Sequence, residues 1–407
     1  MTEAEKKKRP FRVPRTALAK LAAYLVGCWS VIAVLAAGIQ FGIAVVVALA
    51  VYTSVPLFVY LRWGGWPFYP GKAFRLLVLR VFWYTQLALP LLTGAGVIGL
   101  IIGVVFGAPV MGGRIAAMII GVAFGILIAI GYLGASALVA REVVVELPDL
   151  PPEFDGFRIA QLTDLHIGPH LPRKRLERIA REVEAMDPHL IAVTGDIVDD
   201  RSEDLEVYAS VFGSMTAPSG VFLIPGNHDI YAGWPAVEQR LRRGDLGTLL
   251  VNESREIIRG GAAITLVGTG DPAGRGFPDA GVSPEIGRSL AGIPVGHTII
   301  ALAHNPSLFK ALAERGVALT LSGHTHWGQV ALPAAGWSMA GMFLEDAMGV
   351  NMRGRSILYI SPGTGYWGIP FRIGATGEVT LVTLRTTASG IPRATVAGRK
   401  KLRWLVG

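Results

Sequence analysis

Two long apolar blocks constrain this chain more than any other feature. Residues 18–60 and 81–139 are nearly unbroken Ala, Leu, Ile, Val, Gly and aromatic residues, far longer than a globular core helix requires. About 20 apolar residues cross a bilayer as a helix, so blocks of this length have room for four crossings. Spans are expected near 18–37, 40–61, 81–106 and 115–139, split by Gly38-Ile39-Gln40, the 62–80 loop and residues 108–114. A cleaved signal peptide competes for the first span, because a basic segment precedes it and small residues follow at Ala36-Ala37. The later spans anchor the chain in either case. Buried helices of a soluble protein would need polar faces for their ends and connections, and these blocks have almost none.

Charge placement carries the next step. Residues 1–140 hold 12 Lys or Arg against Glu3 and Glu5 alone, whereas residues 141–407 hold 26 bases and 28 acids. The whole net charge of +8 therefore resides in the apolar third. A near-neutral remainder argues against nucleic acid as a partner, since that function puts a basic surface on the folded domain. Lys6, Lys7, Lys8, Arg9, Arg12, Arg15 and Lys20 precede or open the first span, and Arg62, Lys72, Arg75 and Arg80 lie in the second loop. The first connection has no base and the third has Arg114 alone. The positive-inside rule then places the N-terminus and second loop in the cytoplasm, and four spans return the rest of the chain there. The expectation is a multi-pass protein of the plasma or inner membrane, in contact with membrane lipids, whose folded domain is cytoplasmic. Cys28 lies in the first span and has no second cysteine to pair with, so it says nothing about redox compartment.

Past residue 140 the informative groups are Asp164-Leu165-His166, Gly195-Asp196, Gly226-Asn227-His228-Asp229, His304-Asn305-Pro306 and Gly323-His324-Thr325-His326. Each follows a short apolar or β-branched run, at 157–162, 190–194, 221–224, 298–303 and 317–321, the pattern of buried strands. In open α/β sheets the C-terminal strand edge is where loops converge on a rigid support. Between the first two runs Leu176, Ile179, Ala180, Val183 and Met186 recur at helical spacing behind Pro172. That predicts a β-α-β unit with Asp164 and Asp196 at its two strand ends. His, Asp and Asn donors suit Mn, Fe or Zn, whereas an all-oxygen shell would suit Mg or Ca and a thiolate-rich shell structural Zn. Taken singly, Asp-x-His or a lone His304 is commonly a turn or a satisfied polar group, and Gly-Asn-His-Asp a tight capped turn. As an ordered series they specify a metal site.

At these residues the chain resembles the calcineurin-like metallophosphoesterase superfamily, in the form of a membrane-anchored bacterial-type member. All five motif blocks are present, and the resemblance covers residues 143–385. It implies an α/β domain with a four-layer α/β/β/α sandwich, preceded by the transmembrane helical region. It implies further that Asp164, His166 and His326 hold one divalent ion, that Asn227, His304 and His324 hold a second, and that Asp196 bridges them. The resemblance makes His228 the general acid or transition-state stabiliser, with Asp229 orienting its ring. Trp327 departs from relatives that often carry Gly there, and is expected to narrow the pocket or stack on substrate.

The expected organisation is a membrane anchor at 1–140, a catalytic domain at 141–385 and a basic C-terminal tail at 386–407. The tail carries Arg399-Lys400-Lys401-Leu402-Arg403-Trp404, either laid on anionic lipid or frayed in solvent. Burial is favoured for the aromatics of Tyr366-Trp367-Gly368-Ile369-Pro370-Phe371 over a pocket lip or a lipid-facing surface. His170, six residues after Asp164, is not counted as a ligand, substrate contact being the less favoured reading for it, and His189 and His297 are loop polar residues. Function is expected to be hydrolysis of a phosphate mono- or diester by a metal-bridging hydroxide, and tethering beside lipid makes a lipid-linked phosphate ester the economical substrate. Two alternatives stand beside it: a tethered hydrolase of soluble nucleotides, and a non-catalytic sensor or binding protein with a metal-binding domain. A transport role is the weaker form of the second, because charges that mark transport routes are missing from the middle of the spans.

Overall fold

The computed structural model describes residues 14–59, 72–168 and 171–402. His170 and the N-terminal basic cluster up to Arg12 lie outside them. The chain divides into two compact units, Met1–Ala129 and Ile130–Gly407.

In the first unit the apolar blocks are helical. Arg15–Ala36, Leu76–Val105 and Pro109–Ser136 are long and apolar enough to cross a membrane. The expected second span falls on helix Gly42–Val59, which carries Pro56 inside it and whose apolar stretch Gly42–Pro56 is shorter than those three; residues 60 and 61 lie outside the described residues. The expected last span is displaced toward the N-terminus, because Pro109 already opens its helix and Leu138 already begins a strand. Small residues let two of these helices touch backbone to backbone: a Cβ on Gly99 would stand 2.4 Å from Gly112 O, and one on Gly112 would stand 2.4 Å from Gly99 O. Arg114 donates through Nε to Leu35 O at 2.7 Å and through its other arm to Ala37 O. That one cation thus satisfies carbonyls at the end of the first helix.

The second unit is built from strands β1 (Leu138–Leu147), β2 (Arg158–Leu162), β3 (Leu190–Thr194), β4 (Val221–Ile224), β5 (Thr248–Leu249), β6 (Glu253–Arg259), β7 (Ala262–Gly268), β8 (Ile299–Leu302) and β9 (Leu319–Ser322). A short hairpin, β10 (Ala331–Leu332) and β11 (Trp337–Ser338), precedes β12 (Gly349–Arg353), β13 (Ser356–Ile360), β14 (Gly377–Thr386) and β15 (Arg393–Leu402). One sheet has the order β15-β1-β14-β2-β3-β4-β5 and the other β12-β13-β9-β8-β7-β6. Alternation along each strand sets the layers. Leu190 and Ala192 of β3 face the second sheet, in a core with Ile300, Leu302, Leu319, Leu321, Ile357 and Tyr359. Ile191 and Val193 face outward, onto Leu176, Ile179 and Val183 of helix Arg173–Ala185 and Tyr208 and Phe212 of helix Leu205–Phe212. The second sheet buries Val267, Ala301 and Ala303 against Leu308, Leu312 and the short helix around Ile286. Helix, sheet, sheet, helix is the four-layer arrangement, with buried hydrophobic strands paired in parallel at the centre of each sheet.

The five expected strand runs correspond to β2, β3, β4, β8 and β9, and helix Arg173–Ala185 follows Pro172, which sits at its N-cap. The expected C-terminal tail differs: residues 393–402 are β15, paired antiparallel with β1 along the edge of the first sheet. Its backbone pairing satisfies donors that a frayed tail would have left to water. In the core, Glu378 is fully buried and receives the Arg141 guanidinium, the Tyr359 hydroxyl and the Thr380 hydroxyl. Those three donors offset the cost of burying its charge.

Candidate metal centre

The parallel register of β2, β3 and β4 sends three loops off one sheet edge side by side. Asp164 N donates to Gly195 O at 3.0 Å, His166 N to Asp196 O at 3.0 Å and Ile167 N to Ile197 O at 2.9 Å, so the first two loops run as a laced pair. β8 and β9 of the second sheet bring His304 and the 323–326 turn to the same edge. The backbone takes left-handed conformations at Asp164, His166, Asp196, His324 and His326, with φ between 46° and 68°. Such strain, about 1–3 kcal/mol per residue, persists only where the surroundings over-determine it, and it clusters at functional sites. Two glycines are required by close approach: a Cβ on Gly226 would lie 2.2 Å from Asp196 Oδ1, and one on Gly323 would lie 2.1 Å from Asp164 Oδ2.

The donors converge in two groups that share Asp196. Asp164 Oδ1 is 3.2 Å from His326 Nε2 and 3.9 Å from His166 Nε2, and the two Nε2 atoms are 3.1 Å apart. Asp196 Oδ2 is 3.2 Å from His304 Nε2 and 3.6 Å from His166 Nε2. Asn227 Oδ1 is 3.3 Å from His304 Nε2 and 2.8 Å from His324 Nδ1. Asp164 with His166 and His326, and Asp164 with Asp196 and His304, are two of the clusters whose ligand atoms all lie within 4.8 Å of one another. All seven residues expected as metal ligands therefore meet at one place.

Electrostatics fit a cation. Burial opposes the charge on Asp164, yet His326 and His304 hold its carboxyl well below the usual carboxylate range. Asp196 is lowered too, with His304, His228 and His166 outweighing burial. His304 moves the other way, raised because Asp196, Asp164 and Asp271 outweigh its burial. Burial pushes His324 and His326 down to about 4. Carboxylates kept ionised and two imidazoles kept neutral are the protonation states that metal ligation requires.

The residues around the donors depart from expectation in several places. Asp229 is buried and accepts N–H groups from Gly226, Ile197 and Val198 at 2.9, 3.0 and 3.1 Å. It ties the loops after β3 and β4 together and does not orient the ring of His228, as the resemblance had implied. That ring is held by Asp199, whose backbone O is 2.6 Å from His228 Nδ1. The Asp199 carboxylate also lies 3.3 Å from His166 Nδ1. Trp327 is packed in the core: with φ at 54° its indole lies beside Phe309 and Leu358, and Nε1 donates to Ile360 O at 3.0 Å. Trp367 does the reverse of the expected burial. It is 53% exposed, with its ring 6.2 Å from that of His228, and the Tyr231 ring lies 5.8 Å from the same imidazole. His189 accepts from Arg158 N, and His297 contacts Thr265, as loop polar groups do.

Sequence reasoning missed Asp199 and Arg372. Asp199 had a weak signal, three residues after Asp196 within Asp196-Ile197-Val198-Asp199-Asp200. Arg372 had none: it is fully buried, donates to Pro362 O and Gly365 O, and places NH2 3.1 Å from His326 Nδ1.

Comparison with known proteins accords with this geometry. The calcineurin-like phosphoesterase model matches residues 157–328. A zebrafish (Danio rerio) "Transmembrane protein with metallophosphoesterase domain" is 31% identical over 271 residues, covering 64% of this chain and 60% of its own length. An "Uncharacterized metallophosphoesterase" of Helicobacter pylori J99 is 31% identical over 248 residues, covering 60% of this chain and 65% of its own. One from Aquifex aeolicus is 28% identical and covers 63% and 95%. The chain thus spans about 60% of the length of the first of these relatives. The match falls on the strand-end loops that bear the donors, in a chain that also has membrane-length apolar helices, and it identifies residues 157–328 as a calcineurin-like phosphoesterase domain.

Proposed function

We propose that the protein is a membrane-anchored, dinuclear-metal phosphoesterase that hydrolyses phosphate mono- or diesters, with a lipid-linked ester as its substrate class. The observation that carries this reading is the position of Asp196, whose carboxylate lies within 3.6 Å of both His166 and His304. Asp164, His166 and His326 would hold one ion, and Asn227, His304 and His324 the other, with Asp196 common to both. When bound, such ions supply positive charge to the phosphoryl oxygens and a nucleophile at neutral pH. Mn, Fe and Zn all suit this donor set.

The chain's own part in the reaction falls to His228. Asp199 O accepts from Nδ1–H, which leaves Nε2 as the ring nitrogen able to protonate a departing alkoxide or to stabilise charge on phosphorus-bound oxygen. The side chain of His228 is 15% exposed, reachable by substrate from the side where Tyr231 and Trp367 stand. The Asp199 carboxylate, 3.3 Å from His166 Nδ1, is in place for the carboxylate–histidine pairing that would fix a ligand's tautomer and direction. Asp229 supports this by fixing the loops.

Membrane anchoring supports the lipid-linked substrate. Turnover of a phospholipid-derived phosphodiester in mixed micelles should exceed that of a soluble nucleotide diester and fall as the substrate's surface fraction is diluted at constant bulk concentration. Insensitivity to surface dilution, with equal turnover of the nucleotide, would instead favour a tethered hydrolase of soluble esters. The charge asymmetry supports four spans with the N-terminus and catalytic domain in the cytoplasm. A cysteine engineered at Glu146 should therefore react with an impermeant maleimide only after cells are opened; reaction on intact cells would reverse the topology.

A further inference from the structure

Residues 330–344 lead from the last donor loop toward β12 without a single charged side chain. They contain the β10–β11 hairpin and two short 3-10 turns, Pro333–Ala335 and Ala340–Met342. Instead of burying its apolar residues this segment displays them: Leu332, Trp337, Met339, Met342, Phe343 and Leu344 are all exposed, Phe343 to 81%. Six large exposed hydrophobic residues within 13 positions are a concentration that marks an interaction surface.

The contacts of this segment indicate which surface. Val330 bridges in parallel to Ile373, and Ala331 N donates to Ile373 O at 2.8 Å. The residues just before Ile373 lie on the final turns of helix Pro109–Ser136. Arg372 N donates to Gly131 O at 2.8 Å, and Gly131 and Gly134 leave room for the Phe371 ring and Arg372 O, which a Cβ would meet at 2.3 and 1.9 Å. On that same helix end Ile130, Tyr132 and Leu133 are exposed. One residue, Ala137, separates the helix from β1. Residues 371–373 thus place the hairpin beside the end of an apolar helix long enough to cross a membrane.

We propose that the 331–344 hairpin is a second membrane contact of this protein, seated at the boundary of headgroups and acyl chains next to the end of helix Pro109–Ser136. Trp, Phe, Leu and Met without charge are the composition of an interfacial segment. The first charges after the hairpin, Glu345 and Asp346, pair with Arg353 at 2.7 and 3.1 Å, Asp346 largely covered and Glu345 exposed to 80% at the edge of the segment. Val330 is four residues past His326, so seating the hairpin fixes the donor loop at the level of the lipid headgroups. This contact does not depend on hydrolysis and stands or falls separately from it.

The test uses full-length protein with Cys28→Ser as background, reconstituted in phosphatidylcholine–phosphatidylglycerol vesicles. A nitroxide is attached at Phe343→Cys, and in a second sample at Arg243→Cys, an exposed position beyond helix Trp234–Leu241. Both substitutions replace exposed side chains, so the fold is not at stake. Power saturation is measured with oxygen, which concentrates in lipid, and with a water-soluble nickel chelate. The 343 label should show a severalfold higher oxygen-to-nickel ratio than the 243 label. A ratio equal to that at 243 would overturn the proposal. So would shielding from both agents, which is the signature of a protein partner or a second copy covering the hairpin.

Discussion

Asp196→Asn is expected to lower metal-dependent hydrolysis about 10³-fold, equivalent to roughly 4 kcal/mol of transition-state stabilisation. The reason is that one carboxylate serves both donor groups: Oδ2 lies 3.2 Å from His304 and 3.6 Å from His166, while Oδ1 accepts His228 N–H at 2.8 Å. Asn keeps the shape and the Oδ1 acceptor, so the loops retain their lacing. What it removes is the negative charge that two cations would share. Metal analysis of the purified variant should find less bound ion per chain than in the wild type. Hydrolysis within tenfold of wild type would remove Asp196 from the centre of the site.

His228→Ala should separate rate from metal binding, costing about 10²–10⁴-fold in turnover, the usual range for a lost general acid, while metal content stays at the wild-type level. The competing assignment is specific, because His228 also forms a cluster with His166 and Asp196 whose ligand atoms lie within 4.8 Å of one another. Were His228 a ligand, its loss would release metal as well. Asp199→Asn provides the contrast. Its carboxylate stands behind His166, so metal affinity should weaken by roughly 10–100-fold, as for other partners of metal-bound histidines. Equal metal content in both variants, or metal loss in His228→Ala alone, would reverse the two roles.

The strand-end donors were legible because a strand followed by a polar turn leaves a local signature: β-branched run, Gly, then Asp or His. Asp164, Asp196 and His304 each stand two residues past the end of such a run, Asp196 with the Gly before it, and the two sheets bring them to one edge. Partners contributed from a distance carry no such signature. Arg372 reaches His326 from 46 positions away, and no spacing rule connects them. Trp327 was misread for a conformational reason: its left-handed backbone, in a turn where Gly328 and Gln329 are also left-handed, sends the indole into the core. Trp367 and the 331–344 hairpin expose aromatic and aliphatic groups that the general tendency of such residues places inside. That tendency assumes water on the far side, an assumption that would lapse for the hairpin at the proposed membrane contact, whereas Trp367 stands beside His228. β15 was hidden because a strand rich in Arg and Lys has the composition of a solvated tail until β1 is there to pair with it.

The most direct test of the central claim is the metal content and phosphodiesterase activity of purified full-length protein, measured together on one preparation. Hydrolysis of a chromogenic phosphodiester should accompany about two equivalents of first-row divalent metal per chain. It should disappear when chelation removes the metal and return when Mn²⁺ is restored. Hydrolysis that persists after the metal is gone, or a fully metallated protein that cleaves no phosphate ester, would contradict it.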